Sequence, residues 1–353
     1  MSSWSCSRRL GPERRAPGKT GKGQAPADEE ETRREPAPVE SVEAVTRDTQ
    51  GYFGDRFSLE AGLTYAHFDD ARINLSGFLA LDAIFLGLIS IDQQTSDILT
   101  ADMTARYAPT DRLQFDVNLP YIYRSSVFRS GGAGGNASGL AEEQVTESGF
   151  GDLNAGVSYR LQRETYSRPD VVLNARVKAP TGRDPFGIEL REVPNTEGNF
   201  EVPLSLSTGS GTWAASGGLS VLKTLDPMIV FGNLTYFYNL PADLDDIDEA
   251  IGEQPGRVEI GNAVQFGAGV AFALNERSSL STSFSLRFGE ESKIRYEGQA
   301  FRTIVGSGST VGVHNLGATF AVSEKLSLLA NVGVGMTDDA PDMTVSVRAP
   351  MRF

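Results

Sequence analysis

The chain has 353 residues, of which 40% are hydrophobic and 22% charged, and this composition excludes disorder over the whole length. Its net charge is −14, and the acidic excess lies after residue 50, because residues 1–50 hold as many basic as acidic side chains. Such a chain is a poor partner for nucleic acid, whose binding depends on Lys and Arg. One cysteine, Cys6, and two histidines, His67 and His314, leave no disulfide within the chain and little material for metal binding or histidine catalysis. We therefore predict no metal, no cofactor and no enzymatic activity.

Residues 1–50 predict a disordered N-terminal tail, because they are rich in Gly, Pro, Glu and Arg and carry no apolar periodicity. A single domain is predicted over residues 51–353. The beginning of the chain carries charges but lacks the apolar run of roughly 7–15 residues that an export signal has. Because the pattern of residues 51–353 predicts export, we expect the true start of the protein to lie upstream of Met1.

From Phe57 onward, apolar and polar residues alternate with a period of two, which predicts strands with one apolar face. In one example, Leu113, Phe115 and Val117 alternate with Gln114 and Asp116. Twelve such segments are predicted, at residues 57–67, 98–108, 113–123, 150–161, 170–179, 213–224, 228–239, 261–274, 278–288, 310–322, 326–337 and 343–353. Most are long for a soluble protein, and a tilted strand of about 9–11 residues crosses a bilayer. The segments are therefore predicted to cross a membrane.

The connections between these segments alternate in length. Short turns, such as those at residues 109–111, 225–227 and 275–277, alternate with stretches of roughly 20–33 residues, and the exception is the short connection 338–342 before the last segment. This layout predicts a single closed antiparallel transmembrane β-barrel of about twelve strands in a bacterial outer membrane, with periplasmic termini and with lipid and lipopolysaccharide around it. Closure also removes the sheet edges that such long strands would expose. The alternative is a soluble β-protein, but a polar face rich in Ser, Gly, Thr and Asn favours a water-filled interior.

The apolar segment Ile73–Ile91 lies in the first long connection. Asp82 stands at its centre and opposes a helical span, because an Asp there costs roughly 2.5–3.5 kcal/mol of insertion free energy. The segment could instead fold inward as a plug or gate, lie on the surface, or form another hairpin that raises the strand count to fourteen. The sequence leaves these alternatives open.

Charged side chains on the polar face of the predicted strands are expected to line the barrel lumen. These candidates are Asp102, Arg106, Asp116, Asp152, Arg160, Arg176, Lys178, Arg287 and Arg348, with Glu60, Arg124 and Arg352 as further members. Basic residues outnumber acidic ones in this set, and an Arg-lined constriction favours the passage of anions. The alternative is that the charges pair across adjacent strands, for example Asp102 or Arg106 with Asp116, and only fill the wall.

Aromatic residues supply two further predictions. Phe353, in register with the apolar residues Val347 and Met351, resembles the C-terminal signal that the barrel-assembly machinery reads. Seven tyrosines on the apolar face are expected to form the aromatic girdles of a membrane barrel. They are Tyr65, Tyr107, Tyr121, Tyr123, Tyr159, Tyr236 and Tyr238.

The long connections carry no recognisable binding motif. Residues 241–253 are acidic, but their spacing matches no calcium loop, so a solvated surface loop is favoured over a divalent-ion bridge to lipopolysaccharide. The Gly-rich stretch 130–139 lacks the Gly-Lys-Ser/Thr ending of a phosphate-binding loop. Both are expected to lie on the outer surface.

The stretch GFGDLNAGVSYRLQ (149–162), followed by RPDVVLNARVKAPTG (168–182), resembles the bacterial outer-membrane family named after the MetA pathway of phenol degradation. Further similar stretches lie at residues 110–124, 226–240 and 337–350, so the resemblance extends over the whole predicted barrel. Members are regarded as outer-membrane transporters, and the resemblance therefore implies an uptake pore, including one for aromatic compounds.

These observations predict passive or selective uptake of small molecules through a polar, charge-lined lumen, with aromatic or hydrophobic compounds among the candidate substrates. Residues 69–97 or 125–148 are expected to restrict the mouth of the channel. The alternative is a non-transporting surface barrel, an adhesin or a structural protein, that acts through its long outer loops.

Overall fold

The computed structural model describes residues 45–46, 51, 53, 56–69, 74–75, 78–79, 93–131, 140–194, 200–248 and 253–353. Its strands, in chain order, are β1 (Phe57–Asp69), β2 (Asn74–Leu75), β3 (Phe78–Leu79), β4 (Gln93–Thr110), β5 (Leu113–Gly131), β6 (Leu140–Phe150), β7 (Leu153–Gln162), β8 (Asp170–Ala179), β9 (Leu190–Glu192), β10 (Glu201–Pro203), β11 (Ala214–Leu225), β12 (Met228–Asn239), β13 (Ala242–Leu244), β14 (Gly256–Glu259), β15 (Ala263–Ala273), β16 (Ser278–Gly289), β17 (Lys293–Tyr296), β18 (Arg302–Thr303), β19 (Ser309–Ser323), β20 (Leu326–Gly335) and β21 (Met343–Arg352). Within these described ranges, no helix combines the length and apolar content needed to cross a membrane.

Twelve of these strands close into an antiparallel barrel. The order around the ring is β4, β1, β21, β20, β19, β16, β15, β12, β11, β8, β7 and β5, and pairing between β4 and β5 closes it. The predicted twelve-stranded closed barrel is therefore confirmed. Short turns join the strands at one end, which we call the turn end, and long connections leave from the other, the loop end.

The alternation in sequence places apolar side chains on the outside of the ring. Leu63, Met103, Leu234 and Leu316 are exposed on the outer face, whereas polar residues such as Glu60 point inward and are buried. In water an exposed apolar belt of this extent would be unfavourable, whereas a bilayer solvates it and the closed ring pairs every strand edge. This is the architecture of an outer-membrane barrel.

Strands β6 and β7 share one position in the ring. β7 pairs with the first part of β5, residues Leu113–Asn118, and β6 pairs with its second part, residues Tyr121–Gly131. The break between the two strands falls at Gly151 and Asp152. β6 is therefore an extra strand that continues the wall of the barrel beyond its loop end.

The expectation that residues 125–148 are a loop at the mouth is wrong for most of that range. β5 runs on to Gly131 and β6 begins at Leu140, so residues 125–131 and 140–148 are strands. The sequence pattern reverses here: the polar residues Ser125 and Gln144 bond each other on the outside, and Phe128 is buried on the inside. Above the bilayer the outer face meets water, so the pattern that identifies a membrane strand no longer applies.

The long connections fold into ordered caps at the loop end. One apolar cluster joins β5 and β6 to the β9–β10 hairpin, and it consists of Phe128, Val145, Val193, Phe200, Val202 and Leu206. A second lies in a four-stranded sheet of β13, β14, β17 and β18, and it consists of Phe186, Ile247, Val258, Ile260 and Ile294. Part of the acidic stretch 241–253 is thus the strand β13, and its Asp243 pairs with Arg257.

Only two short parts of Ile73–Ile91 fall within the described residues. They are β2 and β3, which pair with each other in a sheet separate from the barrel. The ring closes through β4 and β5 without them, so the segment adds no strands to the barrel. The fourteen-stranded alternative is therefore wrong.

Residues just before β1 contact the inner wall at the turn end. The chain from Pro38 to Phe353 forms one compact unit. Val45 is only 5% exposed and packs against Leu222, Ile229 and Ala271. The division at residue 50 into tail and barrel stays a prediction, and Val45 shows that contacts with the barrel begin before that residue.

Candidate functional site

The inner wall of the barrel has two chemically different halves. Strands β21, β1, β4, β5, β7 and β8 carry most of its charged side chains. Strands β11, β12, β15, β16, β19 and β20 present short or neutral residues over most of their inner face, among them Ser220, Asn233, Gly267, Ser283 and Asn315. A small molecule in the lumen would therefore meet charge on one side and neutral hydrogen-bonding groups on the other.

Glu60 on β1 binds two arginines from the strands on either side. One of its oxygens lies 3.2 Å from Nη1 of Arg106 on β4, and the other lies 3.9 Å from Nη1 of Arg348 on β21. The Glu60 side chain is 4% exposed. Because the two pairs share one carboxylate, the charges of three adjacent strands are linked.

Asp102 lies close to this group on the inner wall. Its Oδ2 accepts a hydrogen bond of 3.1 Å from Nδ2 of Asn118 on β5. Opposite it on β1 stands Gly62, where an added Cβ would lie 2.5 Å from an Asp102 oxygen. The absence of a side chain at Gly62 thus makes room for the carboxylate.

A second ion pair crosses a whole strand. Asp116 on β5 and Arg176 on β8 lie 2.7 Å apart, although β7 separates their strands. Gly156 on β7 stands in register with both of them. Its missing side chain leaves the space through which the two charged groups meet.

We expect Gly156→Ala to destabilise the barrel by about 1–3 kcal/mol, the usual cost of overpacking a filled site. The new Cβ would lie 2.6 Å from Asp116 Oδ1, so the Asp116–Arg176 pair would have to move apart. Urea unfolding of the refolded protein in lipid vesicles measures the effect. Gly217→Ala is the matched control, because no atom lies within 4 Å of an added Cβ there. Equal stability of the two variants would contradict the prediction.

At the turn end, Arg160 contacts both the barrel wall and the segment before β1. Its Nε lies 3.3 Å from a carboxylate oxygen of Asp170, and its guanidinium stacks at 4.3 Å over the ring of Phe53. Its Nη1 also donates to the carbonyl oxygen of Asp111. Arg160 therefore contacts Phe53 before β1, the turn between β4 and β5 at Asp111, and the start of β8 at Asp170.

At the loop end, Asp152 holds part of the connection between β8 and β11 inside the mouth. Its Oδ2 accepts hydrogen bonds of 2.9 Å from both N and Oγ of Ser210, and its Oδ1 accepts one of 3.1 Å from N of Gly182. Lys178 Nζ lies 3.2 Å from the same carboxylate and also bonds Ser210. One buried charge pair therefore fixes two points of the connection.

We call residues 207–212 the inner loop. Its polar side chains Ser207, Thr208, Ser210 and Thr212 are all buried, and Ser207 accepts hydrogen bonds from Arg124 Nη1. Because Arg124 and Lys178 belong to the inner wall, the inner loop lies against that wall at the loop end. Sequence reasoning missed it, although the run of small polar residues at 207–212 was a detectable signal.

Arg287 on β16 differs from the other inner-wall cations because it lies on the neutral half. It is 5% exposed, and its guanidinium stacks at 4.4 Å over the ring of Phe237 on β12. Its Nη1 has no hydrogen-bond partner, and Arg287 forms no ion pair with any carboxylate among the described residues.

The structure places the nine lumen candidates as follows. Asp102, Arg106, Asp116, Arg160, Arg176, Lys178, Arg287 and Arg348 lie on the inner face of barrel strands, and Asp152 lies in the break between β6 and β7. Arg106 and Asp116 are in register, as the sequence suggested, but Arg106 forms its ion pair with Glu60 and Asp116 forms its pair with Arg176. Pairing across the wall is thus widespread, with different partners from those proposed as examples.

The outer face carries the aromatic residues expected of a membrane barrel. Tyr107, Tyr121, Tyr123, Tyr159, Tyr236 and Tyr238 are all exposed there. Tyr65 and His67 both bond the carboxylate of Asp97, at 2.6 and 2.8 Å, on the outer face of β1 and β4. Phe353 is exposed, and its ring centroid lies 5.7 Å from that of Phe57. Its role as an assembly signal stays a prediction.

No protein-family model matches the chain. Among solved structures, an outer membrane channel from Pseudomonas putida F1 is similar, with a TM-score of 0.56 and 16% identity over 87% of this chain and 98% of that one. The translocator domain of the autotransporter NalP from Neisseria meningitidis has a TM-score of 0.44 and 11% identity over 88% of this chain and 93% of that one. The P. putida toluene transporter TodX has a TM-score of 0.41 and 11% identity over 85% of this chain and 90% of that one. The first likeness shows a shared barrel fold, and the other two are too distant to bear on function.

Proposed function

We propose that this protein is an outer-membrane channel through which small molecules enter by way of the barrel lumen. The observation that carries the proposal is that Asn233 and Arg176, which point inward from opposite halves of the wall, are both exposed. The side chains of the described residues therefore leave accessible space inside the barrel at this height. A polar, accessible lumen within a closed barrel is what a channel requires.

The nine charged residues named above are proposed to line the conduction path. They offer fixed charges to a passing solute, whereas the neutral half offers hydroxyl and amide groups. The resemblance to the family named after phenol degradation supports aromatic compounds as the substrate class. We also propose that the protein is not an enzyme, that it lies among outer-membrane lipid and lipopolysaccharide, and that the barrel-assembly machinery inserts it.

The test is single-channel recording of the full-length protein, refolded in detergent and inserted into planar bilayers. We expect discrete current steps, and we expect Arg106→Ala or Arg160→Ala to change their size, because each substitution removes an inner-wall charge. A shift in gel mobility on heating confirms that each preparation is folded. A folded barrel that passes no current under any condition would refute the open channel and favour the alternative, a surface barrel that acts through its caps.

A further inference from the structure

Arg287 is a buried cation on the neutral half of the inner wall. Arg106, Arg160, Arg176, Lys178 and Arg348 each form an ion pair with a carboxylate of the wall. Among the described residues, Arg287 has a stacking contact with Phe237 in place of such a pair. Stacking offsets only part of the cost of removing a guanidinium from water, so an anion beside Arg287 would be stabilised.

Phe237 holds the guanidinium in a fixed orientation. Its ring packs between Ala214 and Ala263, which are both buried. The guanidinium carbon lies 4.4 Å from the ring centroid, and the N–H groups of a guanidinium point outward in its own plane. Two of these N–H groups can bind the two oxygens of a carboxylate in one plane, whereas a spherical ion uses this pair of donors less well.

The strand register places further donors beside Arg287. Gln265 on β15 stands opposite Arg287, and Thr235 on β12 stands opposite Gln265, so the three side chains form a row along the inner wall. An amide and a hydroxyl can each donate to an anion. The row therefore offers one charged and two neutral donors at the same height.

The next row of residues toward the turn end leaves space between Arg287 and the lumen. It consists of Asn233, Gly267 and Ser285, which are short, and Asn233 is exposed to the lumen. On the loop-end side, Lys178 already has Asp152 as its partner. That pair adds no net charge beside Arg287, so the positive charge of Arg287 itself attracts an anion from the lumen.

We propose that Arg287, Gln265 and Thr235 form a binding site in the lumen for the carboxylate group of a small organic anion. The inference deepens the proposed channel function, on which it rests, by assigning a substrate class and the residues that select it. The carboxylate of a solute in the lumen would pair with Arg287. The solute would then leave past Asn233, Gly267 and Ser285, which lie on the turn-end side of the site.

The test measures binding directly on the folded full-length barrel in detergent. The midpoint of thermal unfolding is recorded in sodium acetate, sodium benzoate and sodium chloride at equal ionic strength. A ligand that binds only the folded state raises this midpoint. We expect both carboxylates to raise it above the value in chloride for the wild type, and we expect Arg287→Gln to abolish the difference.

Arg295→Gln is the matched control. The guanidinium carbon of Arg295 also lies over an aromatic ring, 4.6 Å from the ring centroid of Phe301. Arg295 belongs to β17, however, in the four-stranded sheet of β13, β14, β17 and β18, which we call the outer sheet. This variant should respond to carboxylates as the wild type does. Arg287→Lys keeps the charge but loses the planar fork, so we expect a smaller carboxylate effect, and it replaces Arg287→Gln if that variant fails to refold.

Two results would overturn the proposal: an equal response of wild type and Arg287→Gln to acetate and benzoate, or an equal effect of chloride and the carboxylates on the wild type. The measurement does not depend on current through a bilayer. A wild type that binds carboxylates but passes no current would contradict the open channel and leave the site standing. A wild type that conducts but lacks the Arg287-dependent shift would contradict only the site.

Discussion

Glu60→Ala should lower the free energy of unfolding of the barrel by about 3–5 kcal/mol, the usual cost of removing one partner of a buried ion pair. The Glu60 side chain is 4% exposed and pairs with Arg106, which is itself largely buried, and with Arg348. Without this carboxylate, Arg106 on β4 and Arg348 on β21 lose the negative charge that lies between them on β1. Urea unfolding of the refolded protein in lipid vesicles measures the loss.

Glu142→Ala provides the comparison for that experiment. Glu142 pairs with Arg129 at 2.9 Å, but its side chain is 53% exposed in the part of the wall that extends beyond the loop end. An exposed pair contributes only about 0–1 kcal/mol. The double variant Glu60→Leu/Arg106→Met should recover much of the lost stability, because it removes the nearer of the two arginines together with Glu60. If Glu60→Ala and Glu142→Ala lost equal stability, the linked pairs of the inner wall would have no special role.

Asp152→Ala should release the inner loop and increase the single-channel conductance several-fold. The substitution removes the contacts of the carboxylate with Ser210, Gly182 and Lys178. Arg124 still holds Ser207, but the part of the inner loop around Ser210 could then move away from the wall, and we expect the mouth to widen. Planar-bilayer recording measures the conductance, and faster tryptic cleavage after Arg183 reports the freed loop.

The variant also leaves Lys178 buried without its carboxylate, so Asp152→Ala/Lys178→Met tests release of the loop without that charge. Asp243→Ala is the control, since Asp243 also forms an ion pair at the loop end, with Arg257 at 2.9 Å, but lies in the outer sheet. Its conductance should equal that of the wild type. An unchanged conductance in both Asp152 variants would show that the inner loop does not limit the current.

Local pattern was enough to predict the membrane strands. The predicted segments 170–179 and 228–239 coincide with β8 and β12. Most of the other barrel strands begin and end within a few residues of their predicted bounds. Side chains along a strand alternate between two faces, and here one face meets lipid and the other meets the lumen. The residue types on either side of a position therefore predict which face its side chain takes. The inward direction of Arg160 and Arg287 was predicted in this way.

The pattern failed where the surroundings changed along a strand. Beyond the bilayer, β4 and β5 have water outside and folded connections inside, so polar residues such as Ser125 point outward and Phe128 is covered. A prediction based on a lipid-facing apolar stripe therefore began β4 too late, at residue 98, and ended β5 too early, at residue 123. The outer sheet built from β13, β14, β17 and β18 was missed because its strands come from distant parts of the chain and are very short.

The sequence by itself determined the fold class, the number of barrel strands and the inward direction of the charged residues in the membrane-spanning strands, because all three follow from a period of two along single strands. Only the tertiary structure decided which charges meet. Asp116 reaches Arg176 over Gly156, and Asp152 binds the inner loop, because the ring brings together residues that are far apart in the chain. The same closure leaves Arg287 beside Phe237, with no carboxylate partner in the described part of the chain, since the register of neighbouring strands, rather than the local pattern, sets the partner of each inner-wall side chain.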